Sequence, residues 1–75
     1  MAGTNETIAL LDTVALLEDI PEKKLLRGNV GTVVEELEAQ TYMVEFVDND
    51  GRTYGLLPLR ADQLMVLRHE PGQVA

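Results

Sequence analysis

The stretch Leu25-Leu26-Arg27-Gly28-Asn29-Val30-Gly31-Thr32-Val33-Val34 decides the fold, because a charged, turn-rich segment changes there into a run of β-forming residues. Gly28 and Gly31 have no Cβ and can take backbone angles that other residues avoid. The β-branched residues that follow Gly31 favour an extended strand. The sequence therefore predicts a tight turn over 28–31 and a strand over 32–37.

The length and composition of the chain predict one small globular domain. Its 75 residues are 45% hydrophobic, which is a globular proportion. A domain of this size buries only about 60% of the surface that its unfolded chain exposes, so its stability margin is thin. With no cysteine and one histidine, the chain has neither a disulfide nor a ligand set for structural zinc. Stability must come from an apolar core or from a partner.

The charge of the chain disfavours two classes of partner. Thirteen acidic and six basic residues give a formal net charge of -7. A field of this sign repels phosphate backbones and anionic membrane surfaces, so nucleic acid and membranes are not expected partners. No basic segment precedes an apolar run at the N-terminus, and no run approaches the roughly 20 apolar residues of a membrane span. We therefore expect a cytoplasmic protein.

Five strands are predicted from hydrophobic periodicity and from the turn residues between them. They span residues 12–18, 32–37, 41–47, 52–57 and 64–67. In the first strand either face could be buried, with Val14 and Leu16 favoured for the core, and in the third the alternation assigns Phe46 to the core. Residues 7–11 are apolar without a clear period, so a short helical turn and an added edge strand both remain open for them.

The connections between the strands have their own signals. Pro21 and the charges around it end the first strand and make residues 19–24 an exposed loop, after which Leu25 or Leu26 is expected to fold back over the core. The segment Asp48-Asn49-Asp50-Gly51 predicts a β-hairpin. The remaining signals predict a bulge at Gly55, a single 3₁₀ turn over 60–63, and a frayed tail over 68–75.

The order of these features resembles that of SH3-like barrels. The residues that carry the resemblance are Leu26 to Val34, Tyr42 to Phe46, Asp50-Gly51, and Ala61 to Leu64. The chain is similar, more narrowly, to an uncharacterised bacterial family of short, stand-alone SH3-like proteins, a domain of unknown function. The resemblance implies an all-β, five-stranded SH3-like barrel with a long first loop and one 3₁₀ turn before the last strand. It implies no activity and no cofactor.

The expected domain organisation follows from this resemblance and from the strand pattern. It consists of an N-terminal extension over 1–11, the barrel over 12–67, and a flexible C-terminal tail over 68–75.

A second resemblance gives the alternative function. Arg27-Gly28 and Gly31 are placed as in KOW-type barrels, which bind nucleic acid in ribosomal and transcription proteins. Here, however, Glu35, Glu36 and Glu38 follow the motif, whereas a nucleic-acid-binding surface is basic. A KOW-like function would require the basic side chains to gather on one face. These are Lys23, Lys24, Arg27, Arg52 and Arg60.

Motifs that could carry chemistry are better explained as structure. Gly28-Asn29-Val30-Gly31 matches the G-x-x-G clamp of KH domains but lacks its flanking helices and basic surroundings. Asp48-Asn49-Asp50-Gly51 is similar to a calcium loop, yet the position of the required acidic ligand is Leu57. The sole histidine, His69, lies in the polar tail, and the chain has no serine. We therefore expect no enzyme, no cofactor and no metal site.

The function predicted from the sequence is a non-catalytic protein–protein interaction module. Its partner would be a basic protein, or the chain would self-associate, because an acid-rich surface on a small barrel with open edges favours a protein partner. No small-molecule substrate is evident. The candidate partner-binding residues come from the long first loop, the acidic end of the second strand and the fourth strand. They are Glu22, Arg27, Glu35, Glu36, Tyr54, Leu56 and Leu59.

Overall fold

A computed structural model describes residues 8–67 of the chain. The predicted C-terminal tail with His69, and most of the N-terminal extension, lie outside the described residues. Five strands are present: β1 (Thr13–Leu16), β2 (Val30–Leu37), β3 (Thr41–Val47), β4 (Thr53–Arg60) and β5 (Leu64–Val66). Two 3₁₀ turns, Pro21–Lys23 and Ala61–Gln63, complete the regular structure. The predicted all-β class and the 3₁₀ turn before the last strand are confirmed.

The five strands form one antiparallel sheet in the order β4-β3-β2-β1-β5. The long strand β2 belongs to both halves of this sheet. Its first residues pair with β1, its later residues pair with β3, and Thr32 pairs with both. An extra residue interrupts the β2–β3 register between Val33 and Glu35. A bulge of this kind bends and twists the strand, so the two halves of the sheet turn towards each other.

The sheet is strongly curled, because a very short connection joins its two edge strands. Only Ala61–Gln63 separates the end of β4 from the start of β5. A 3₁₀ turn rises about 2 Å per residue, which gives a span of about 8 Å from Arg60 to Leu64. Five strands in a flat sheet would hold the two edges about 19 Å apart. The sheet therefore wraps around the residues on its inner face.

These inner-face residues form one apolar core. The buried hydrophobic side chains packed together are Ile8, Val14, Leu16, Ile20, Leu25, Val33, Val44, Phe46, Leu57, Leu59 and Leu64. The predicted burial of Val14, Leu16 and Phe46 is confirmed. Ile8 also belongs to the core, so packing extends N-terminal to the predicted boundary at residue 12. None of the buried residues among 8–67 is polar or charged.

Gly31 has a different role from the one the sequence predicts. Strand β2 begins at Val30, so Gly31 is a strand residue and the turn involves Gly28, whose φ is +92°. A Cβ placed on Gly31 would lie 2.7 Å from Cγ1 of Val44 and 2.8 Å from the carbonyl oxygen of Glu45. Gly31 is therefore needed because β3 passes too close for any side chain.

The hairpin between β3 and β4 forms as predicted. Oδ1 of Asp48 accepts hydrogen bonds from the backbone N–H groups of Asp50 and Arg52, at 2.9 Å each. Gly51 completes the turn with a φ of +81°. The β3–β4 register shifts beside Gly55, where Tyr54 is the extra residue. The predicted bulge is therefore present.

Strand β4 continues three residues further than predicted. The predicted strand ends at residue 57, before a proline, yet Pro58 pairs with Met43, and the strand extends to Arg60. Proline is compatible with this position because β4 is an edge strand, where the missing N–H points away from the neighbouring strand. The continued alternation carries Leu59 inward to the core.

Candidate interaction surface

The first loop is an ordered structure held by side-chain acceptors. Asp19 Oδ1 accepts the N–H of Arg27 at 2.8 Å, and Asn29 Oδ1 accepts the N–H of Leu26 at 2.9 Å. An isolated β-bridge joins Ile20 to Leu25. Leu25 is fully buried and Leu26 is exposed, which confirms that one of the two leucines covers the core. Arg27 remains exposed beside this cover.

Two of the candidate residues, Tyr54 and Leu56, lie on β4. The ring centroid of Tyr54 is 6.2 Å from that of Phe46, and Tyr54 is partly exposed. The Leu25 side chain approaches the same end of the core, 3.5 Å from the position of a Cβ on Gly55. Leu56 is 58% exposed and pairs with Glu45 on the outer face of the sheet.

Glu35 and Glu36 lie further along β2, on opposite faces. Glu35 pairs with Met43 and shares the outer face, whereas Glu36 pairs with Tyr42 at the inner face. Glu36 reaches the rim of the core, where its Oε2 accepts the N–H of Leu10 at 3.1 Å. The two glutamates therefore contribute to different surfaces.

The seven candidate residues do not form a single surface. Leu59 is a correction, because it is 3% exposed and packs in the core, so it cannot contact a partner. Because the predicted strand ends at residue 57, its alternation does not reach Leu59, which the longer β4 directs inward. Glu22 is exposed in the first 3₁₀ turn and, with Arg27, belongs to the first loop. The acidic pair belongs to the later part of β2, on the other side of its bulge from the loop.

A turn before β1 presents two leucines to solvent, and neither alternative left open by the sequence describes it. The turn spans Ala9 to Asp12 and is neither helical nor a strand. The N–H of Asp12 donates to the carbonyl of Ala9 at 3.1 Å, and Asp12 Oδ2 accepts the N–H of Ala9 at 2.9 Å. At its tip Leu10 and Leu11 are 52% and 71% exposed. We call residues 9–12 the leucine turn.

The leucine turn is fixed to β2 at two points on either side of the bulge. The N–H of Leu11 donates to the carbonyl of Val33 at 2.7 Å, and the N–H of Leu10 donates to Glu36. Val34, the extra residue of the bulge, lies between these two attachment points and is itself exposed. The turn with its two exposed leucines is thus attached to β2 on either side of the exposed Val34, by contacts that no local sequence pattern encodes.

The backbone of Leu11 is in the left-handed region, with a φ of +71°. A bulky side chain at such an angle is a genuine outlier, because the Cβ meets the following carbonyl oxygen. Glycine or asparagine would fit this position without strain. The hydrogen bonds to Val33 and from Asp12 hold the turn in this conformation.

Among residues 8–67, no group of three or more His, Cys, Asp or Glu side chains could hold a metal ion. The ion pair between Arg60 and Asp62, at 3.0 Å, is largely exposed and of little energetic weight. No helix in this part of the chain is long and apolar enough to cross a membrane.

Two of the basic residues named for a KOW-like function lie at opposite ends of β4. Arg52 immediately precedes β4, and Arg60 is its last residue. At about 3.3 Å per residue these two side chains start about 26 Å apart, at opposite ends of the strand. Lys23, Lys24 and Arg27 lie in the first loop.

The open edge of β4 is poorly suited to pairing with another strand. The N–H of Ala61 donates to the carbonyl oxygen of Gln40, the residue before β3. Because backbone N–H groups alternate between the two sides of a strand, the nitrogens of Leu56, Pro58 and Arg60 point away from β3, towards the open edge. Pro58 has no N–H, and that of Arg60 is taken by Gln63 Oε1 at 2.8 Å. An edge with so few available donors resists strand addition, which makes the side-chain surfaces the better sites for a partner.

These features define a small all-β domain, built as one curled antiparallel sheet around an apolar core. The profile of the family described as Domain of unknown function (DUF4926) matches residues 10–66. The chain belongs to this family, and the predicted membership of an uncharacterised family is confirmed. The matched region begins at the leucine turn and ends at β5. No match was found among curated proteins or among solved structures.

Proposed function

We propose that this protein is a non-catalytic interaction module that binds another protein, built on an SH3-like barrel. The barrel assignment is supported by the sheet order β4-β3-β2-β1-β5, the bend in β2 and the 3₁₀ turn that joins the edge strands. By its resemblance to a bacterial family, the module would act in a bacterial cytoplasm.

The observation that carries the proposal is the distribution of apolar and polar groups. The core of the described residues is entirely apolar. No buried side-chain nitrogen or oxygen atom in this part of the chain lacks a hydrogen-bond partner. Large apolar side chains, including adjacent leucines, are meanwhile exposed. Such a surface is suited to a macromolecular partner.

The charge of the chain favours a basic partner. A net charge of -7 attracts a cationic surface at long range and disfavours the approach of a second copy. The separation of Arg52 and Arg60 along β4 weighs against the KOW-like alternative, which needs the basic side chains on one face.

The proposal is tested by isolating the full-length protein under mild conditions and identifying proteins that bind it directly in isothermal titration calorimetry. We expect a basic protein to bind with an affinity that falls as salt is added, because screening weakens the attraction. A strictly monomeric protein without a protein partner, or a salt-dependent gel shift with nucleic acid near physiological ionic strength, would contradict the proposal.

A further inference from the structure

We propose that the leucine turn anchors the partner, with Leu10 and Leu11 entering an apolar pocket that is rimmed by Lys or Arg side chains. This inference rests on the proposed function and identifies which part of the surface performs it. Three independent properties of the turn support it: its exposure, its backbone strain and its charged surroundings.

The exposure of Leu10 and Leu11 is unusual because the two residues are adjacent. Single exposed leucines are common on soluble proteins and need no explanation. Here two neighbouring leucines are 52% and 71% exposed, with the exposed Val34 beside their attachment to β2. Ile8, two residues earlier, is buried in the core, so the chain can bury an apolar residue from this segment. The leucines at the tip are instead presented to solvent.

The positive φ of Leu11 shows that the surrounding contacts hold the turn in a backbone conformation that is unfavourable for leucine. Its φ of +71° would suit glycine, yet the residue is a leucine whose side chain packs against little of this protein. Strained residues persist where the surrounding structure fixes them, and they cluster at ligand-binding sites. The hydrogen bonds to Val33 and Glu36 hold the tip in one conformation. A partner then binds a preorganised pair of side chains, which lowers the entropy lost on binding.

The charges around the turn select the chemistry of the partner. Glu36 accepts the N–H of Leu10, and Asp12 accepts the N–H of Ala9, so two carboxylates lie at the turn itself. Carboxylates at the rim of an apolar contact attract cationic side chains and repel acidic ones. A second copy of this chain carries the same carboxylates and the same net charge of -7, so the fitting occupant is a different, basic protein.

A stability measurement separates a binding role of Leu11 from a folding role. Leu11→Gly removes both the side chain and the backbone strain, whereas Leu11→Ala removes most of the side chain and keeps the strain. We expect Leu11→Gly to melt at the same temperature as the wild type or a few degrees higher, and above Leu11→Ala. A melting temperature several degrees below the wild type for Leu11→Gly would show that the leucine serves the fold, and would overturn the inference.

A photo-crosslinking experiment then locates the partner. The full chain is expressed in its own cells with p-benzoylphenylalanine at position 11, at position 56, or at the control position 65, where Met65 is 49% exposed on β5. We expect position 11 to give the dominant crosslink, to a different protein, at a peptide that contains Lys or Arg. Crosslinks to a second copy, or dominant crosslinks from position 56 or 65, would overturn the inference and leave the proposed function standing.

The affinity of the purified partner completes the test. We expect Leu11→Gly to weaken its binding at least tenfold and Met65→Ala to change it less than twofold. Equal affinity for the wild type and Leu11→Gly would overturn the inference. If no position crosslinks to any protein, both the inference and the proposed function fail.

Discussion

Gly31 and Gly55 both lie in strands next to Phe46, yet only Gly31 is required by a contact between strands. A Cβ on Gly31 would meet three atoms within 3.0 Å, including a backbone oxygen that cannot move aside. A Cβ on Gly55 would lie at 3.4 Å or more from its neighbours, which is ordinary van der Waals contact.

This contrast predicts opposite outcomes for two alanine substitutions. Gly31→Ala should destabilise the protein by about 1–3 kcal/mol or more, because the overpacked site forces β2 and β3 apart. Gly55→Ala should be neutral or slightly stabilising, since alanine loses less chain entropy than glycine on folding. Urea denaturation of the two variants measures both effects. Equal destabilisation would show that the β2–β3 approach is described wrongly.

Phe46 gives a second prediction at the residue scale. It is a large, fully buried side chain with core neighbours from several strands. Phe46→Ala should cost about 3–5 kcal/mol, which approaches the whole stability of a domain this small. Circular dichroism should show a largely unfolded chain at room temperature. Wild-type-like melting would contradict the central place of Phe46 in the core.

The elements differ in how far local sequence determines them. Strand β3 and the turn after it were predictable, because alternation and an Asp-Gly pair act within a few residues. The end of β4 was not, since the acceptance of Pro58 depends on β4 being an edge strand, which is a property of the whole sheet. The same error placed Leu59 on the surface. The leucine turn was missed because its conformation is imposed by β2, through Val33 and Glu36.

The edge of β4 predicts a change in self-association. Pro58 has no N–H group to offer at the open edge. The N–H of Arg60, the next that points to this edge, is already bonded to Gln63. Pro58→Thr restores an N–H group and a β-former on that edge, so we expect concentration-dependent dimers or larger species. Size-exclusion chromatography with light scattering measures them, and Met65→Thr on the opposite edge strand is the matched control. A Pro58→Thr variant as monomeric as the wild type would contradict this function of Pro58.

The whole molecule carries a net charge of -7 on a small core. Self-repulsion at this charge opposes the compact state, and salt screens it. We therefore expect the melting temperature to rise by a few degrees as NaCl increases from about 20 to about 200 mM, a range over which the Debye length shortens markedly. Calorimetry at constant pH measures the shift. A melting temperature that falls with NaCl would mean that attractive ion pairs outweigh the net repulsion.

The same charge connects the fold to its proposed use. Because the interior of the curled sheet is apolar, the side chains that could bind a partner lie on its outer surface. The two halves of the sheet expose different side chains. The bulge at Val34 is where they meet, and it also holds the leucine turn beside the acidic end of β2. The curvature of the sheet and the proposed binding site therefore both depend on the bulge at Val34 in β2.

The most direct test of this account is an NMR titration of the labelled full-length protein with the partner identified by crosslinking. We expect amide shift changes concentrated at residues 9–12 and 34–38, with the amides of residues 53–60 little affected. Shift changes concentrated in residues 53–60 or in the first loop would contradict the assigned site. Unchanged spectra at saturating partner would contradict the proposed function itself.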